Sequence, residues 1–275
     1  MAREEWRRNN VDRFIQKLYQ AIKAKKSFVK FGVSPFGIWR PGFPPEIKGF
    51  DPYDKLFADS RKWLAQGWLD YFAPQLYWSI EPREQSYTAL LKWWAGQNPK
   101  QRHLWPGDAP ARIGPNRPTA EILNQIRVTR KEPGASGNIH WSMRSLMQNR
   151  GGVADGLIKE VCAQPALIPA SPWLDSAPPG APKLKVEENR RVGIQAAWEP
   201  PDGEAVQSWV LQTKIGSEWV TDILAGQQTS RVLNPNPKID LIALTAIDRC
   251  GNAGPPAVLE WCAPGPRLSE PQRVR

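Results

Sequence analysis

The chain has 275 residues, is 41% hydrophobic and 23% charged, and carries a net charge of +10. That composition suits a folded chain of about two domains and excludes a disordered one. No apolar run approaches the ~18 residues of a membrane span, and three cysteines without a Cys-x-x-Cys pair build neither a disulfide scaffold nor a zinc site.

Two histidines leave little for a metal centre, and no metal or other cofactor is expected. Residues 1–10 are charged and hold no signal-peptide core. The 14 tryptophans beside a positive net charge fit either nucleic-acid binding or sugar binding on aromatic faces. The basic groups Arg7-Arg8, Lys23-Lys25-Lys26 and Arg190-Arg191 are short and scattered, which reads as solvated faces. No nucleic-acid partner is expected.

Residues 4–26 form an amphipathic helix, with Val11, Phe14, Ile15, Leu18 and Ile22 at helical spacing. Phe28 to Val33 is a buried strand, followed by a proline-rich loop through Trp39, Pro41, Pro44 and Pro45. Asp51-Pro52 opens a second helix, with Leu56, Phe57, Ser60, Trp63 and Leu64 as its inner stripe and Gly67 as its stop. Leu69 to Tyr77 is the next strand. Tyr87, Leu90, Leu91 and Trp94 mark a helix, His103 to Pro106 a short strand, and Ile122, Leu123 and Ile126 a helix opened near Pro118-Thr119. Gly137 to Ser142 is a fourth strand, and residues 143–160 are helical.

The strand centres fall near residues 31, 72, 104 and 139. Each interval meets the ~30 residues a βα unit needs. Strict alternation of buried strand and helix predicts a parallel sheet in sequential order, with helices on one side. Four units make half of an eight-fold (βα)8 barrel, the alternative being a small open sheet. No glycine-rich phosphate loop follows a strand, which disfavours a nucleotide-binding sheet. Phe31, Phe72 and Leu76 are expected to point into the barrel interior. Residues 163–182 hold six prolines from Pro165 to Pro182 and read as an inter-domain linker. Alternating strands at 192–198, 208–214, 219–223 and 239–248 predict a small β-sandwich over 183–263, with Trp198, Trp209 and Trp219 in its core and a loose tail at 264–275. Cys250 and Cys262 lie near neighbouring strand ends, where pairing is a matter of geometry, and Cys162 stays unpaired.

The run WRRNNVDRFIQKLYQAIKAKKSFVKFGVSPFGIWRPG resembles the glycosyl-hydrolase-like 10 barrel family of bacteria. LDYFAPQLYW, HLWPG, GASGNIHWSMRSLM and NRGGVADGL are similar to the same family in the same order. QPALIPASPWL and the segment ending in AIDRCGNAG resemble its fibronectin-type-III-like tail. The resemblance implies an eight-fold barrel of which this chain matches strands five to eight. It also implies cleavage of glycosidic bonds in bacterial glycans, peptide-free peptidoglycan strands among them, and a parent protein in the cell envelope or secreted. The family's acidic motif at the end of strand four has no counterpart here, so Met1 is expected to lie inside a longer reading frame or the gene to be truncated.

Barrel active sites lie at the C-terminal ends of the strands. There the sequence offers Ser34 and Trp39, then Gln75, Tyr77, Trp78 and Glu81, then Trp105 and Asp108, then His140 and Trp141. Aromatic faces stack on the C–H faces of sugars, and amide, imidazole and hydroxyl groups meet their hydroxyls. Ser34, Trp39, Gln75, Tyr77, Trp78, Trp105, His140 and Trp141 are therefore the expected glycan contacts, although each tryptophan can equally be a packing residue. Glycoside hydrolysis needs two carboxylates. Glu81 and Asp108 are the strand-end acids and so the catalytic candidates. Glu81 can equally serve a helix dipole, and Asp108 a turn. Asp70 and His103, at the entrance ends of their strands, read as structural. A non-catalytic carbohydrate-binding or interaction module is the alternative to an enzyme.

Overall fold

The computed structural model describes residues 1–189, 193–201, 203 and 205–261. Arg190-Arg191, Val192, Cys262 and the expected tail 264–275 lie outside them. The chain divides into two compact units, Met1–Leu174 and Asp175–Arg275.

In the first unit, β1 (Gly32–Val33), β2 (Tyr71–Phe72) and β3 (His103–Leu104) pair in parallel, in chain order. The same strands run on as β4 (Gly107–Asp108), which pairs in parallel with β5 (Ile139–His140). Parallel bridges Phe36↔Gln75, Gln75↔Gly107 and Leu104↔Ala135 stitch the pieces together. The helices are α1 (Arg3–Lys25), α2 (Pro52–Lys55), α3 (Ser60–Gln66), α4 (Tyr87–Gly96), α5 (Thr119–Lys131), α6 (Met143–Met147) and α7 (Val153–Gly156).

The expected second helix is two. Asp51 caps α2 by accepting from the Asp54 amide, and Asp59 caps α3 by accepting from Lys62. The turn between them puts Phe57 at a φ of 54° and leaves Leu56 54% exposed, so Leu56 is not part of an inner stripe. Gly67 ends α3 in the left-handed conformation, as its sequence position predicts. On α1, Val11 and Ile15 pack on the core, whereas Phe14 is 63% exposed.

The pleat alternates side chains between the two faces of the sheet. Phe72, Leu76 and Leu104 join Trp63, Leu64, Leu90, Leu91 and Trp94 in the core under the helices. Phe31 packs on that same cluster. These strand residues therefore face the helices, not a barrel interior as expected. Their register neighbours Tyr71 and His103 take the opposite face. There Trp105 stacks on both, with ring centroids 4.9 and 5.0 Å apart.

Asp70, fully buried at the entrance end of the second strand, gathers four donors. Its Oδ2 accepts from the Phe31 amide at 2.7 Å and pairs with Lys23 Nζ at 2.5 Å. Its Oδ1 accepts from Tyr19 Oη at 3.3 Å and Trp173 Nε1 at 2.9 Å. His103 Nε2 bonds Ser171 Oγ at 3.0 Å, its ring meets Trp173 edge-on, and Arg102 lies over the Trp173 ring. The first half of the proline-rich segment is thus strapped onto the sheet rather than free, because its serine and tryptophan satisfy buried polar groups.

In the second unit, β6 (Lys183–Asn189), β7 (Gly193–Glu199) and β10 (Ser230–Leu233) form an antiparallel sheet in the order β10-β7-β6. The other sheet has the order β12-β11-β8-β9, from β8 (Ser208–Ile215), β9 (Glu218–Ala225), β11 (Leu241–Ile247) and β12 (Ala257–Glu260). Alternate residues fill the space between them: Ile194, Ala196 and Trp198 from β7, Trp209 and Leu211 from β8, Ile242, Leu244 and Ala246 from β11. The Trp198 and Trp209 indoles donate to the carbonyls of Gln228 and Gly226. Trp219 lies on the edge strand β9 and is 47% exposed, so it does not belong to this core as expected.

Replacing Asp70 by alanine takes the ion-pair partner from Lys23, which keeps only the Ser27 and Val29 carbonyls, and the acceptor from three further donors. The substitution is expected to cost about 3 kcal/mol of stability, read as the shift of the denaturant midpoint; an unchanged midpoint refutes the hub. Burial, reinforced by the charge of Lys30, depresses His103 to about 4, against a weaker upward pull from Asp70. A histidine depressed in the fold is neutral there and must charge on unfolding, so its contribution is complete above the unfolded value of 6.5 and is lost as pH falls toward about 4. Denaturant midpoints between these pH values should fall less steeply in His103→Gln than in the wild type.

Candidate functional site

The parallel register sets the exit ends of the four strands side by side. Phe36 neighbours Gln75, Gln75 neighbours Gly107, and Asp108 neighbours His140. Gln75 Nε2 reaches across to the Ser34 carbonyl at 2.9 Å and its hydroxyl at 3.4 Å. Ser34 is exposed and Gln75 half-buried, so the amide and hydroxyl form one polar edge.

Asp108 is fully buried on the third strand, and His140 on the fourth has 22% of its side chain exposed. The His140 Nδ1–H donates to Asp108 Oδ1 at 2.6 Å. Asp108 Oδ2 is buried without a hydrogen-bond partner. Burial pushes the Asp108 carboxyl above its ordinary range, against the bond from His140 and the charges of His140 and Arg117. Burial pulls His140 down, but the hydrogen bond and charge of Asp108 outweigh it and raise the imidazole above its ordinary value. Both shifts have one sense: the pair holds a proton more tightly than two separate groups do.

Tyr77 stands next to this pair. Its ring lies against Gly107, where a Cβ would approach Tyr77 Cε1 to 3.1 Å. Burial first, and the charge of Asp108 second, raise its hydroxyl pKa. The Tyr77 carbonyl accepts from Arg112 Nη1 at 2.7 Å and Arg117 Nη1 at 2.9 Å. The Trp78 carbonyl accepts from Arg117 Nη2 at 3.0 Å and Gln125 Nε2 at 2.8 Å. Glu121 closes this frame by accepting from Gln125 Nε2 and from the Ile80 amide. Trp78 meets Phe36 edge-on at 5.5 Å, and Trp141 is 61% exposed beside His140.

Ser34, Gln75, Tyr77, Trp78, Asp108, His140 and Trp141 therefore occupy adjoining strand ends. Three expected site residues sit elsewhere. Trp39 is buried in the helix-side core, stacked on Trp93 and bonded through its indole to Asp59. Trp105 spends its faces on Tyr71 and His103 and its indole N–H on Ser136 Oγ. Glu81 lies on an exposed loop and lines a surface groove with Lys48, Arg83 and Glu84. Glu81 thus stays in water while Asp108 is buried, and the two do not share an environment.

The Arg112 and Arg117 clamp escaped the sequence reading. A guanidinium that braces backbone carbonyls leaves no spacing signal, and only the basic, proline-flanked context of Arg117-Pro118 hinted at an ordered turn. Among the described residues no cluster of three or more His, Cys, Asp or Glu is arranged to hold a metal ion, and no helix is long and apolar enough to cross a membrane.

Comparison with known proteins follows the same strands. Residues 2–121 match the family described as glycosyl hydrolase-like 10. Glycosyl hydrolase YngK of Bacillus subtilis (strain 168) is 36% identical over 213 residues, which is 73% of this chain and 42% of that protein. Glycosyl hydrolase DigH of Escherichia coli (strain K12) is 37% identical over 153 residues, 50% of this chain and 35% of that protein. The chain thus spans less than half the length of these curated relatives. Among solved structures, an FN3 domain of human collagen XX aligns with 35% of this chain and all of its own, at 20% identity and a TM-score of 0.26. Over residues 2–121 the chain is thus similar to the glycosyl hydrolase-like 10 family.

Proposed function

We propose that this chain is the second half, strands five to eight, of a glycan-cleaving (βα)8 barrel, followed by a fibronectin-type-III-like β-sandwich. Its substrate class is bacterial cell-wall glycan, and the parent protein works in the cell envelope or outside the cell. The observation that carries this reading is the line of polar and aromatic side chains along the strand exits, Ser34, Gln75, Tyr77, Asp108, His140 and Trp141. Amides, hydroxyls and imidazoles meet sugar hydroxyls there, and exposed indole gives a stacking face.

Hydrolysis requires an acid for the leaving oxygen and a second carboxylate for attack or water activation. Asp108 is engaged by His140 and Glu81 is remote from it in environment, so the pair is not complete in this chain. That observation favours sugar binding without turnover by the chain on its own. The carboxylate that completes the pair then comes from strands one to four.

The test is a turnover assay on peptide-free peptidoglycan glycans, comparing the 275-residue chain with a version extended by the sequence encoded upstream. The shorter chain is expected to bind glycan and release no product, and the extended one to hydrolyse it. Equal turnover by both would place a sufficient acid among residues 1–174 and remove the half-barrel argument.

A further inference from the structure

We infer that Asp108 is a positioning residue and His140 the group it serves, holding the imidazole so that Nε2 meets a hydroxyl of a bound sugar. This rests on the glycan reading above and adds to it a named hydrogen-bonding nitrogen and the residue that aims it.

The geometry separates two roles that the sequence left together. Asp108 has no exposed surface, and its Oδ1 is engaged by His140 at 2.6 Å. It can reach no glycosidic oxygen from beneath that ring. His140 keeps surface of its own, and with Nδ1 committed to Asp108 it has Nε2 left to offer. A buried carboxylate on one ring nitrogen fixes the tautomer and the ring plane, which makes the other nitrogen a directed partner. The register sets this nitrogen at the end of the fourth strand, next to the exposed Trp141 and in line with Gln75 and Ser34.

Among the described residues, the charged and titratable groups that act on the pair are Tyr77 after the second strand, Tyr87 on α4 and Arg117 after the third strand. Tyr77 and Tyr87 are both raised by burial and so stay neutral. With Nδ1–H held by Asp108, the neutral imidazole offers the Nε2 lone pair to a sugar hydroxyl, and the protonated form that Asp108 favours donates at the same place.

Two substitutions divide the ring. His140→Asn keeps an amide near the position of Nδ1, so the Asp108 bond survives, and has no atom at Nε2. Asp108→Asn keeps the shape and removes the charge. The chain holds only two histidines, so labelled imidazole signals are assigned by removing His103 in His103→Gln. The probe is a peptide-free peptidoglycan glycan of defined length, followed by tryptophan emission and by the imidazole nitrogen signals.

In the wild type, the glycan should shift the His140 Nε2 signal and leave His103 in place. His140→Asn should melt within a few degrees of the wild type and bind about tenfold more weakly, the loss of one hydrogen bond. Asp108→Asn should bring the His140 titration below that of a free imidazole and move the pH dependence of binding with it. If the glycan binds, by emission, while Nε2 stays unmoved or His140→Asn binds like the wild type, the inference is wrong and the glycan reading stands. If the wild type binds no glycan by either signal, both are overturned.

Discussion

A single buried carboxylate fixes the first unit. Asp70 has no water to solvate it, so each oxygen must be fully occupied by protein donors. Its donors come from α1, from the start of the first strand, and from the segment after the last helix. Three stretches far apart in sequence are thereby set against the second strand at one point. With that end fixed, the phase of every parallel strand follows, and the exit ends fall in line. The Gln75–Ser34 contact and the Asp108–His140 contact lie downstream of that register.

The two faces of the parallel sheet are covered in different ways. The apolar work is done on the helix side, where Phe72, Leu76, Leu104 and Trp94 are fully buried. The other face carries rings stacked on rings, Tyr71 on Trp105 on His103, which cover one another. The polar side chains at the exits are braced from behind. Arg117 holds the carbonyls of Tyr77 and Trp78 rather than a substrate, so those two rings are placed by the backbone beneath them. A site contact that depends on a carbonyl clamp is rigid without needing a packed core of its own.

Much of this was legible in the chain. Strand spacing and alternation are direct consequences of burying a parallel sheet under helices, so the four strands and their order could be read. The caps at Asp51 and Gly67 are local and could be read as well. The break in the second helix was written in Asp59-Ser60, a second cap signal that the apolar stripe overrode. The direction of Phe72 and Leu76 could not be read, because one strand gives alternation without saying which face meets the helices. Trp39 was read as a site residue because it follows the first strand, whereas it is buried in the helix-side core with its indole bonded to Asp59. Trp219 shared the alternation of its neighbours, and its place at a sheet edge is a property of strand order that no single segment carries. Asp108 and His140 were both read as strand-end residues, but their pairing depends on two strands meeting in register.

The two ends of this sheet also divide the labour of heredity. The entrance end holds Asp70 and its donors, where almost any replacement leaves a buried charge or donor stranded. Apart from Asp108, the exit end holds side chains that are partly in water, such as Ser34, Gln75 and Trp141, and their replacement leaves the core untouched. Mutations there are filtered by what the protein meets, and mutations at the other end by whether it folds at all. A lineage carrying this arrangement can therefore vary residues such as Ser34, Gln75 and Trp141 without having to solve its folding problem again.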